Sequence, residues 1–193
     1  MKIVSIIMMY APIGLGAYFA SLVGEFGPGL IGDYGHAMLV YYPMCLLYFF
    51  TAFPAYAYFA GGKAGVGRMF GHILNPAVTA FATQSSIAAL PVNAEACDRI
   101  GVPKDIRDIV LPMGAPMHMD GSVLSAIVKI SFLFGIFNQP FTGVGTYAMS
   151  MAVAVLSAFV LSGAPGGVLV GEMLIVSLFG FPAEAFPLIA TIG

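Results

Sequence analysis

Thr83-Gln84-Ser85-Ser86-Ile87-Ala88-Ala89-Leu90-Pro91 and Ser162-Gly163-Ala164-Pro165-Gly166-Gly167 each set a short polar or Gly/Pro tip in the middle of a long apolar segment. Hydrocarbon cannot hydrogen-bond an interrupted backbone. Breaks at membrane depth are tolerated only where protein encloses them or where they line a cavity. Two such tips in one chain predict an all-α membrane protein whose broken segments face each other across an enclosed space.

Composition places the chain in lipid. Of its 193 residues 60% are hydrophobic and 8% charged, against roughly 25% charged in a soluble domain. Tyr34 to Gly62 and Ile130 to Gly171 contain no Asp, Glu, Lys or Arg. The first run suits one span with some tilt, and the second exceeds the roughly 20 residues that a single span needs. A net charge of −2 offers no basic surface for nucleic acid. Cys45 lies in an apolar run and Cys97 beside Asp98 and Arg99, so their spacing predicts neither a disulfide nor a metal site. Met1-Lys2 opens an apolar stretch lacking a signal-peptide cleavage pattern. It reads as a membrane segment interrupted near Ala11-Pro12-Ile13-Gly14, with the chain a piece of a longer protein.

Charges divide the chain into five apolar blocks: Ile3 to Gly24, Ala37 to Ala60, Met69 to Ala94, Ile109 to about Phe141, and Gly143 to about Phe181. The second is aromatic-rich and contains Pro43 and Pro54. Basic loops at Gly61 to Arg68 and Glu95 to Asp108 flank the third block, which puts both its ends on the cytoplasmic side. A segment that returns to its starting face with a serine-rich middle is a helical hairpin entering the membrane part-way. The fourth block then crosses outward and the fifth dips back from outside. Opposed hairpins form an inverted repeat, an arrangement of secondary transporters whose half-helices meet at a solute site. Two ordinary kinked spans are the alternative.

Asp120 is the sharpest single residue. A carboxylate near the bilayer centre costs about 2.5–3.5 kcal/mol and demands a cation, a proton or a partner. Leu111 to Ser122 holds two prolines and two glycines, a poor helix interior. In extended backbone, residues two apart share a face, which brings His118 to Asp120. Asp120 serves ion or proton coupling, or else is neutralised by Lys129. His118 is a ligand, an imidazolium partner of Asp120, or a satisfied buried histidine. Ser85 and Ser86 precede a helical run from near Ile87 as caps do, and such a helix start suits a carboxylate. Pro165 fits the first turn of the next half-helix, while Gly163, Gly166 and Gly167 let backbone approach a ligand. Glu172 reads as paired or solvated, and Lys129 as snorkelling or facing the bundle interior.

Taken together, Tyr10-Ala11-Pro12-Ile13-Gly14, the Ser85-Ser86 tip ending in Leu90-Pro91, Met119-Asp120-Gly121 and Ser162-Gly163-Ala164-Pro165-Gly166 resemble the dicarboxylate/amino acid:cation symporter family. The order and spacing match across nearly the whole chain. The resemblance implies an elevator-type homotrimer in the full-length parent. Residues 1–62 would be its fifth and sixth helices and 63–193 the core of the transport domain. That core would comprise a re-entrant hairpin at 69–97, a broken helix at 105–140, a second hairpin at 143–181 and the start of a truncated last helix at 182–193.

By the same resemblance, substrate is held by Gln84, Ser85 and Ser86 at one tip, by Gly163, Ala164 and Pro165 at the other, and by Ser122. Gly114 and His118 carbonyls serve one sodium site and Asp120 a second. Pro116 and Met119, with Ala158, Phe159 and Leu161, serve a third. His118 stands where the family usually has Asn and Pro116 where it often has Thr, so coupling to sodium or to protons stays open.

The expected function is cation-coupled symport of dicarboxylates or of acidic or neutral amino acids, in a multi-pass protein of the plasma (inner) membrane. The expected partners are membrane lipid and a small carboxylate or amino acid, and no covalently bound cofactor is expected. The alternative is a truncated membrane protein that does not transport. Enzymatic chemistry is not expected: neither Ser85 nor Ser86 has the G-x-S-x-G context of a hydrolase nucleophile.

Overall fold

The computed structural model describes residues 2–83, 85–161, 167–190 and 192, with the side chains of 2–9, 11, 12, 15, 161, 167 and 168 excepted. Among the described residues every regular element is helical. These are α1 Lys2–Phe26, α2 Gly29–His72, α3 Leu74–Thr83, α4 Leu90–Ile100, α5 Lys104–Met117, α6 Asp120–Ile136, α7 Val144–Leu161, α8 Gly167–Phe179 and α9 Ala185–Ile189.

Helix boundaries follow local chemistry more narrowly than the composition of the loops suggested. The interruption expected near Ala11-Pro12-Ile13-Gly14 is absent, because the α1 backbone is helical throughout. Neighbouring turns can re-satisfy the bond that a proline removes from an apolar helix. Between α1 and α2 only Gly27 and Pro28 leave the helix. Gly27 has φ +86, and its N–H bonds the Val23 carbonyl at 2.9 Å. The second block therefore starts at Gly29, ahead of the expected Ala37.

The basic loop expected at Gly61 to Arg68 shrinks to two residues. Gly61 and Gly62 alone break α2, and Gly62 sits at φ 60, ψ −154, a region open essentially to glycine. The chain then turns so tightly that a Cβ on Gly65 would lie 2.5 Å from the Ala57 carbonyl oxygen. Irregularity expected over Leu111 to Ser122 is confined to His118 and Met119; α5 runs regularly through Pro112 and Pro116.

Besides Gly27 after α1, three helix ends close with a residue in the left-handed region. Gly101 (φ +93) follows α4, Asn138 (φ +51) follows α6 and Gly180 (φ +69) follows α8. In each, the next N–H reaches back to a carbonyl five residues earlier: Val102 to Cys97 at 3.0 Å, Gln139 to Phe134 at 2.8 Å and Phe181 to Val176 at 3.0 Å. These bonds satisfy carbonyls that the helix leaves orphaned.

The core gathers around α6. Ile130 and Leu133 are fully buried, and around them pack Leu30 and Tyr34 of α2, Val153 and Ala154 of α7, Ile175 of α8, and Leu188 and Ile189 of α9. The Tyr34 ring stacks on Phe132 at 5.0 Å, and its hydroxyl donates to the Leu188 carbonyl at 2.5 Å. That bond ties the C-terminal turn to α2. α7 lies along α8, α3 against α4, and α4 against α5. Two helical pairs are thus joined by the interrupted α5–α6 unit.

The outer surface is apolar. Phe59 and Val144 are 86% exposed and Phe81 84%, among many other bare Leu, Ile, Met and Tyr side chains. An apolar surface this extensive marks a lipid or protein contact rather than a water interface. Gly29–His72 and Lys104–Ile136 are long and apolar enough to cross a membrane. An all-helical fold with two such helices is compatible with a membrane protein.

Candidate functional site

α5 ends at Met117 and α6 begins at Asp120, so two opposed helix ends meet at one point. The carbonyls of the last α5 turn lose their continuing donors there, although Gly114 O still accepts the His118 N–H at 2.8 Å. His118 sits at φ −87, ψ 88, extended enough to share a face with residue 120. His118 Nε2 lies 3.1 Å from Asp120 Oδ2, the juxtaposition that the i, i+2 argument predicts.

Asp120 has a second partner that the sequence did not reveal. The Tyr48 hydroxyl, from the middle of α2, donates to the same Oδ2. Phe53, one helical turn and a half further on, sets its ring edge-on to the His118 imidazole at 6.3 Å. The carboxylate is at the first residue of α6, where the positive end of the helix dipole favours negative charge. Asp120 is therefore held by a phenol, an imidazole and a helix start. Lys129 is not its counter-ion.

Lys129 pairs with Glu172 instead, Nζ to Oε1 at 2.6 Å, with both residues buried. α6 and α8 bring them together across 43 positions of sequence. A buried pair suits two charges that lipid would otherwise penalise. Beside it opens a cavity of about 620 Å³, whose polar wall includes Tyr41 of α2, Ser122 and Ser125 of α6, Ser157 of α7, and the Lys129–Glu172 pair. Phe81 of α3 also lines the cavity.

Apart from Ser85 and Ser86, the residues named from sequence fall into three groups. Gly114, Pro116, His118, Met119 and Asp120 converge at the α5–α6 break, and Ser122, half-buried, lines the cavity one turn beyond. Ala158 is buried in α7, and Phe159 beside it is 67% exposed. Gln84, Gly163, Ala164 and Pro165 lie outside the described residues, as does the side chain of Leu161.

The first tip differs from expectation in detail. Helix α4 starts at Leu90, with Pro91 in its first turn, and its cap position Ala89 makes no side-chain bond. Ser85 caps a turn instead, its Oγ accepting the Ala88 N–H at 3.3 Å, while Ser86 is exposed. Among the described residues the cavity wall does not include either serine.

Tyr48 could not be chosen by sequence among the many aromatics of α2. The Lys129–Glu172 pair had a signal: each is a lone charge of opposite sign at the edge of an uncharged run. Compared with protein families, the chain matches the sodium:dicarboxylate symporter family over residues 1–193. No solved structure matches it.

Proposed function

Because the chain belongs to the sodium:dicarboxylate symporter family, we propose that it carries a dicarboxylate, or an acidic or neutral amino acid, across the plasma (inner) membrane together with sodium ions or protons. The observation that carries this reading is the α5–α6 break, where Asp120 stands beside His118 and Tyr48 at the N-terminus of α6. An interrupted helix with an ionisable residue at the break is the form that ion sites take within the membrane.

In this reading Asp120 holds the coupling cation. The Gly114, Pro116, His118 and Met119 carbonyls add hard oxygen ligands, joined by Ala158, Phe159 and Leu161. The α3–α4 and α7–α8 pairs are re-entrant hairpins entering from opposite faces. Their tips, Gln84-Ser85-Ser86 and Gly163-Ala164-Pro165, close on a substrate that also meets Ser122. Residues 63–193 form the moving core and 1–62 the helices against which it slides, three chains assembling together. Cation binding at the break favours closure of the second tip, which links the ion gradient to solute uptake.

Asp120→Asn tests the assignment in the purified protein reconstituted in liposomes. The expected result is loss of the cation gradient's effect on uptake of radiolabelled aspartate or succinate. Uptake that keeps its rate and its ion dependence would remove Asp120 from the coupling role.

A further inference from the structure

Asp33 and His36 lie three residues apart near the start of α2. Side chains at that spacing are neighbours on one helix face, about 5–6 Å apart at Cβ. Both line a second cavity, of about 350 Å³, together with Val128, Ser131 and Phe132 of α6. It shares no lining residue with the cavity beside Lys129 and Glu172. Asp33 and His36 are exposed, and neither takes part in an ion pair or a side-chain hydrogen bond among the described residues.

A carboxylate and an imidazole are donor types that zinc takes, at about 2.0–2.2 Å. Their spacing is that of the Glu-x-x-His motif by which helical bundles hold metal ions, with Asp33 in the place of Glu. Ser131 adds an oxygen from the α6 wall. Its hydroxyl proton goes to the Val128 carbonyl at 2.9 Å, so its lone pairs remain for a ligand. Among the described residues no three His, Cys, Asp or Glu side chains gather at one point. A metal held here therefore has two strong protein ligands, completes its shell with Ser131 or water, and exchanges with solution. The imidazole decides the class: it suits zinc, copper and nickel, whereas magnesium and calcium take oxygen ligands.

We propose that Asp33 and His36 form an exchangeable binding site for a divalent transition-metal ion of the zinc class, separate from the coupling-cation site at Asp120. Thermal unfolding of the purified full-length protein in detergent, with zinc or magnesium chloride added, tests it. An ion that binds the folded state raises the midpoint as its concentration rises. Wild type should gain at least about 2 °C by about 0.1 mM zinc and nothing from the same magnesium. Asp33→Asn and His36→Gln should each remove most of that gain. Both positions are exposed and unpaired, where substitution changes stability little, so both variants fold.

No gain in wild type overturns the proposal, and so does an equal gain with magnesium. A gain kept in full by either variant overturns it as well, and places the ion elsewhere on the chain. None of these outcomes bears on the transport reading, which Asp120→Asn tests by itself.

Discussion

The Tyr48 hydroxyl donates a hydrogen bond to the Asp120 carboxylate, joining the middle of α2 to the first residue of α6. His118 reaches the same oxygen at 3.1 Å. A carboxylate with two side-chain partners and a helix dipole is held in place by the chain itself. The broken helix is thereby fastened to a neighbouring helix at the point where its own backbone is weakest.

Tyr48→Phe removes that fastening without changing the packed ring. A hydrogen bond to a charged group contributes about 1.5–3 kcal/mol, so the variant should lose stability in that range, read as a lower denaturation midpoint in detergent. Once Asp120 is replaced by Asn the same substitution should cost far less. A coupling of about 1 kcal/mol or more in the double-mutant cycle is the expected signature; strict additivity would mean that the bond contributes nothing.

Lys129→Met should be among the most damaging single changes in the chain. It leaves the Glu172 carboxylate buried and without its cation, a loss of about 3–5 kcal/mol. Adding Glu172→Met should recover most of the loss, since replacing both charges of a buried pair with apolar side chains is often neutral or stabilising. Thermal unfolding of the two variants side by side reads the difference. Equal stability of wild type and Lys129→Met would show that Glu172 finds another donor.

Where backbone chemistry is local, the sequence carried the fold. The lone carboxylate among prolines and glycines marked the α5–α6 break, and extended geometry at His118 accounted for its approach to Asp120. Gly61-Gly62 likewise marked the break within α2. Three prolines were over-read: Pro12, Pro112 and Pro116 all sit in regular helix, because in lipid the alternative to an imperfect helix is an unsatisfied backbone. The pairing of Lys129 with Glu172 and the choice of Tyr48 depend on how α2, α6 and α8 pack. No periodicity within one helix encodes which side chain of another will face it.

Cys97 reports on the polar end of α4. Burial is the main influence and pushes its thiol up; Asp98 adds to this, and the Arg107 charge opposes it. Because the thiolate is the reactive form, a raised value keeps the sulfur protonated at neutral pH. With Cys45 replaced by Ala, maleimide should label Cys97 slowly at pH 7. Its rate should climb at a higher pH than that of an exposed cysteine. Arg107→Gln removes the opposing charge and should move that climb higher still, read by mass spectrometry of timed samples. A profile matching free cysteine would place the thiol in open solvent.

Three glycines near the break of α2 should respond differently to alanine. Gly62 occupies φ 60, ψ −154, so Gly62→Ala forces a side chain into a conformation costing about 1–3 kcal/mol. Gly65 has an ordinary backbone but no room: its added methyl would meet the Ala57 carbonyl oxygen at 2.5 Å. A backbone atom cannot rotate away as a side chain can, so Gly65→Ala must shift the two helical segments apart. Gly67, two residues on, is exposed in helix with nothing within 4 Å of the new methyl. There the substitution should be neutral or stabilise by about 0.5–1 kcal/mol, the helical advantage of Ala over Gly. Denaturation midpoints should therefore fall for Gly62→Ala and Gly65→Ala and hold or rise for Gly67→Ala. Neutrality or a gain at all three positions would mean that the sharp turn between Ala57 and Gly65 does not form, and that α2 continues as a straight rod.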